Sequence, residues 1–189
     1  MKVIASLFCV TVFLISCSSS QNKNTENGNP ETYAMSITAG ELKDMLYTYA
    51  SDDYEGRRTG EPGQKKAIAF IKDHYISNEI PSPIAKDDYF QDIPASYFKD
   101  GIKASENVLA FIKGSEKPEE IIVISAHLDH LGISGNGDIN NGADDDGSGT
   151  VAMLEIAEAF KNAEKKGSGP KRSILFLHVT GEELGLYGS

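Results

Sequence analysis

The chain has 189 residues, 40% apolar and 24% charged, an ordinary globular balance that supports one domain with a sizeable core and excludes a disordered polypeptide. Its formal net charge is −10, and an acidic surface argues against nucleic acid or anionic lipid as a partner. The only cysteines are Cys9 and Cys17. Neither suits a disulfide framework, so a bound metal would have to be held by His, Asp and Glu.

The N-terminus reads as a targeting segment. Met1-Lys2 is a short positive region, and Val3 to Ile15 is nearly unbroken apolar sequence, too short to span a bilayer and suited to a signal peptide. It ends Leu14-Ile15-Ser16-Cys17, which resembles the bacterial lipobox. The resemblance implies a signal peptide over 1–16, a lipid on Cys17 as the only membrane contact, and a lipid-anchored place in the bacterial cell envelope. Ser18 to Ser36 is Ser, Asn, Gln and Glu with little to bury, a flexible tether reaching about 25 Å. The folded part is expected over 37–189.

Thr38-Ala-Gly-Glu41 fits a capping box, and Leu42, Met45, Leu46 and Tyr49 then make one apolar helical stripe. Asp52 to Gly63 is a charged, Gly-rich loop, in which Arg57 and Arg58 beside Asp52, Asp53 and Glu55 read as a solvated ion-pair cluster. A second amphipathic helix over 62–78 turns Ala67, Phe70, Ile71 and Tyr75 inward. Asp87 to Pro94 reads as an edge strand closed by its proline. Strands follow at 107–112 and 121–126, and their short link predicts a hairpin and hence a mixed sheet. From Ser148, Val151, Met153, Leu154, Ile156, Ala157 and Phe160 make a buried helix that ends at Lys165-Lys166-Gly167, with basic residues at the negative end of its dipole. Strand 173–179 completes a strand-helix-strand crossover.

The chemistry concentrates at two strand ends. The run Ile121 to Ala126 stops at His127-Leu128-Asp129-His130, followed by the acidic loop Gly142-Ala-Asp144-Asp145-Asp146-Gly-Ser-Gly149. The second run, Ser173 to Thr180, stops at Gly181-Glu182-Glu183. Two parallel strands would bring these ends to one edge, where a sheet presents its ligands. Carboxylates crowded there would repel one another unless divalent cations neutralised them. A histidine ligand usually gives its other ring proton to a carboxylate, and Asp129 is the natural acceptor. Of the adjacent Glu182 and Glu183, one can bind metal while the other acts as general base. Asp144, Asp146, Ser148, Gly149 and Glu155 also match positions of a calcium loop, but the Gly- and Asn-rich stretch before them offers no helix.

Ala126-His-Leu-Asp-His130, Gly142 to Gly149 and Gly181 to Ser189 resemble the three successive motifs of the M28 zinc metallopeptidases, the bacterial leucyl-type aminopeptidases. The loop 51–63 and the segment 89–91 are also similar to that family. The resemblance implies an α/β fold with a mixed, mostly parallel central sheet flanked by helices, here the N-terminal portion of a longer domain. It further implies two zinc ions: His127 ligating one, Asp145 bridging both, Glu183 ligating the second, Asp129 orienting His127, and Glu182 serving as general base. The family's remaining Asp and His ligands lie downstream of the position matching Ser189, and His130 and His178 do not match them. His178 reads as core and His130 as a residue of the site rim. The expected substrate is a peptide with a free N-terminus. A mononuclear, glutaminyl-cyclase-like transferase and an inactive binding domain are the alternatives.

Overall fold

The computed structural model describes residues 28–99 and 101–189. The expected signal peptide, Cys17 and most of the expected tether lie outside the described residues. Residues 28–36 do not all read as tether. Asn29 caps a short helix, α1 (Pro30–Ala34), which packs against the long helix α4 introduced below. An Asn cap followed by Pro at the first helical position is enough to start a turn, and Tyr33 gives it something to bury.

Helix α2 (Ala39–Tyr49) begins as expected. The Thr38 hydroxyl oxygen accepts from the Glu41 N–H at 3.2 Å and donates to the Glu41 carboxylate at 2.6 Å. Helix α3 (Pro62–Ser77) starts on its proline and buries Ala67, Ile71 and Tyr75. Helix α4 (Ser148–Lys165) buries Val151, Met153, Leu154 and Ala157.

Strands β1 (Phe90–Ile93), β2 (Ser105–Ile112), β3 (Lys117–His127) and β6 (Arg172–Val179) form one sheet in the order β1-β2-β6-β3. A separate two-stranded ribbon joins β4 (Gly132–Ile133) to β5 (Ile139–Asn140). The fold is the expected mixed α/β arrangement, with β1 on the sheet edge. The hairpin between β2 and β3 does not form, because β6 lies between them, antiparallel to β2 and parallel to β3. The link Lys113–Glu116 crosses the start of β6 instead of turning back. Its Ser115 and Glu116 N–H groups donate to Pro170 and Lys171, and Gly114 N–H donates to the Ser173 hydroxyl. Two of the three strand interfaces are therefore antiparallel, although the sheet was expected to be mostly parallel. Only the β3-α4-β6 connection carries the helix a parallel neighbour requires.

Alternation sorts the sheet into two faces. Val108, Ala110, Ile112, Ile174, Phe176 and Ala126 are buried on the side where α3 and α4 pack, forming one core with Tyr49, Ile71, Tyr75 and Leu154. Ile121 and Val123 of β3 stay 56% and 54% exposed. The parallel pair β3 and β6 ends in register, His127 opposite Val179, so the residues following both strands emerge at one edge.

Candidate metal centre

His127 is the last residue of β3, and two turns hold it in place. Its backbone N–H donates to Asp146 Oδ2 at 3.0 Å, while Asp146 Oδ1 accepts from Gly149 N–H at 3.0 Å. Asp146 thus ties the first turn of α4 to the end of β3. The imidazole Nδ1 lies 3.0 Å from the Asp129 backbone oxygen and 3.9 Å from its carboxylate. The orienting partner of His127 is therefore chiefly the Asp129 carbonyl. The Asp129 carboxylate, fully buried, accepts instead from the Thr59 hydroxyl at 2.5 Å and from the Glu182 N–H at 3.2 Å. In this way it fixes the backbone that begins the Glu182-Glu183 pair.

The far ring nitrogen of His127 stands 2.9 Å from Asp145 Oδ1 and 3.9 Å from Glu182 Oε2. His130, expected at the rim, points inward. Its Nδ1 is 2.6 Å from Glu183 Oε1, its side chain is largely buried, and ligand atoms of His130, Asp145 and Glu183 all lie within 4.8 Å of one another. Asp145 is therefore common to two groups, His127 with Glu182 on one side and His130 with Glu183 on the other. Gly142 makes room for this. A Cβ there would stand 2.4 Å from the His130 ring, and its φ of +55° is one a side chain would strain.

Burial pulls the His127 pKa down, but the Asp129 carbonyl and the charges of Asp146, Asp129 and Glu182 more than offset it and hold it above its ordinary value. Burial raises the Asp129 carboxyl, against the Thr59 and Glu182 donors. His178 behaves as the core residue the sequence suggested. It is buried inside β6, with Nε2 2.7 Å from the Tyr75 hydroxyl, and burial drives its pKa down to about 3.

Arg57 departs from the expected solvated loop. Arg58 remains exposed, but Arg57 is 1% exposed beneath the site, its guanidinium turned toward backbone carbonyls and not toward Asp52 or Asp53. Nothing in local composition signalled this, because its partners lie at the end of α2 and on the distant 128 and 141–142 turns.

The donor set suits a divalent metal. Imidazole nitrogens and carboxylate oxygens at this separation are zinc-type ligands. Among the described residues, the buried His130 Nδ1 and Glu183 Oε1 atoms have no well-aligned hydrogen-bond partner, as groups prepared for a cation would. Asp145 is the open member, two-thirds exposed.

Residues 107–189 match peptidase family M28. A probable zinc metalloprotease of Pyricularia oryzae is 38% identical over 89 residues, 44% of this chain and 16% of that protein. LapB from Legionella pneumophila superimposes with a TM-score of 0.60 at 25% identity, covering 84% of this chain and 39% of LapB. A glutaminyl cyclase from an Acidobacteriales bacterium shares the fold, with a TM-score of 0.55 at 24% identity over 76% of this chain and 44% of the cyclase. The chain spans less than half of these two solved structures, and the matched stretch is only 16% of the Pyricularia oryzae protein. By these matches residues 107–189, which supply His127, Asp129, His130, Asp145, Glu182 and Glu183, are similar to peptidase family M28, on an α/β fold that resembles those of LapB and a glutaminyl cyclase.

Proposed function

We propose that this chain carries the metal centre of a zinc-dependent exopeptidase that hydrolyses the first peptide bond of substrates with a free N-terminus. The observation that carries the reading is the shared position of Asp145, 2.9 Å from His127 Nε2 and within one ligand cluster with His130 and Glu183. A carboxylate placed in this way suits two metal ions held by His127, Asp145 and Glu183, with His130 beside the second. When bound, zinc would supply polarisation of the scissile carbonyl and a lowered pKa for water.

The remaining work belongs to the side chains. Glu182, part-exposed and held at its N–H by Asp129, accepts a proton from the attacking water. The carbon–oxygen bond forms, the carbon–nitrogen bond breaks, and Glu182 returns the proton to the leaving amine. Asp129 and Asp146 keep His127 aimed at Asp145, so the ligands are set before substrate arrives. The lipid on Cys17 would confine this activity to the cell envelope.

Replacing Glu182 by Gln tests the assignment. In the full-length protein Glu182→Gln should retain its zinc and lose at least ~100-fold in turnover on aminoacyl chromogenic substrates. Near-normal turnover would reject Glu182 as the base. Cyclisation of N-terminal glutamine without peptide hydrolysis would favour the transferase reading.

A further inference from the structure

Arg57 has a role that no motif assigns. Its four hydrogen bonds all end on backbone carbonyls: Nε on Leu128 at 3.2 Å, Nη1 on Tyr49 at 3.1 Å and on Asn141 at 2.7 Å, and Nη2 on Gly142 at 2.7 Å. Its own carbonyl accepts from the His130 N–H at 3.2 Å. One buried residue therefore grips the turn between His127 and Asp129 and the loop that leads into Asp145 with its side chain, and the backbone of His130 with its own carbonyl.

The fold accepts a cost to put it there. Arg57 has a φ of +50°, a left-handed conformation unfavourable by about 1 kcal/mol or more for a residue with a side chain. Gly56 before it fits so closely against the β4–β5 ribbon that a Cβ would stand 2.4 Å from the Asn140 oxygen. The guanidinium also lies over the Tyr49 ring at 4.6 Å, and the Tyr49 hydroxyl donates to the same Leu128 carbonyl at 2.9 Å. Among the described residues, no carboxylate is a hydrogen-bond partner of the buried charge. The carboxylates whose charge acts on it are Asp129, Asp146 and Asp145, all residues of the centre. A buried cation solvated by carbonyls is a rigid device, since its planar fork fixes the direction of each bond.

We propose that Arg57 is a positioning residue of the metal centre: it locks the 127–130 turn to the 141–142 turn and so sets the distance of His127 and His130 from Asp145. This rests on the zinc-peptidase reading above.

The test compares Arg57→Met and Arg57→Lys with a control, Tyr75→Phe, which weakens the core away from the centre. Zinc affinity is read by competition with a chromogenic chelator, ligand geometry by the visible spectrum of the cobalt-substituted protein, and folding by thermal melting without metal. Arg57→Met should bind zinc ~10- to 100-fold more weakly with an altered cobalt spectrum, Arg57→Lys should recover part of that loss, and Tyr75→Phe should melt lower with affinity and spectrum unchanged. If Arg57→Met does not fold, Arg57→Lys carries the comparison alone. A folded Arg57 variant whose zinc affinity and cobalt spectrum match the wild type would overturn the proposal. A wild-type protein that binds no zinc would instead overturn the functional reading and take this inference with it.

Discussion

His127 and His178 sit on neighbouring strands one register step apart, Ala126 opposite His178 and His127 opposite Val179, yet their chemistry diverges. Alternation sends them to different surroundings. His127 leaves the strand end among Asp129, Asp145, Asp146 and Glu182 and is held above its ordinary pKa. His178 enters the core against Tyr75 and is pushed to about 3. The same side chain is a metal-type ligand in one place and a neutral packing group in the other. What separates them is one residue of strand register and the carboxylates supplied by two loops.

Exchanging these roles by mutation should give opposite signatures. His127→Ala should weaken zinc binding by ~100-fold or more, about 3 kcal/mol, while the metal-free protein melts near the wild-type temperature. Chelator competition beside calorimetry would show it, and unchanged affinity would remove His127 from the ligand set. His178→Leu should do the reverse. It strands the Tyr75 hydroxyl, so unfolding in urea should show a loss of about 1–3 kcal/mol, with zinc affinity within ~2-fold of wild type.

A pH series sharpens the contrast further. Between about 3 and the ordinary 6.5, an unfolded chain binds a proton at His178 that the folded one refuses. Stability therefore rises with pH across that window and falls on acidification, by up to about 1.4 kcal/mol per pH unit, with no contribution above it. The metal-free wild type should lose stability from pH 6.5 to 5 more steeply than His178→Leu. Parallel curves would mean that His178 is protonated in the folded state. His74, also lowered by burial and in electrostatic contact with His178, leaves a smaller residual slope in the variant.

Much of this was readable in advance because the signals were local. The Thr38–Glu41 box, the stripe along α4 and the apolar runs ending at His127 and Val179 each depend on spacing within one element, and each appears where expected. The failures are non-local. A short link between strands expected at 107–112 and 121–126 reads as a hairpin, and the bonds of Ser115 and Glu116 to residues 170–171 show that β6 lies between them. Arg57 sits among acidic residues in sequence and reads as solvated, yet its partners come from α2, the 128 turn and the 141–142 loop. The resemblance offers His130 no role and leaves it at the rim, and its approach to Glu183 depends on how the ends of β3 and β6 converge. Its presence in the same four-residue run as His127 and Asp129 was the one signal that could have found it.

The most direct measurement is the zinc stoichiometry of the metal-free full-length protein, titrated calorimetrically beside its Asp145→Ala variant. A carboxylate shared by two groups predicts two zinc equivalents in the wild type, with both affinities reduced by at least ~10-fold in the variant. One equivalent in the wild type, or a variant in which one site keeps its affinity, would contradict the shared centre.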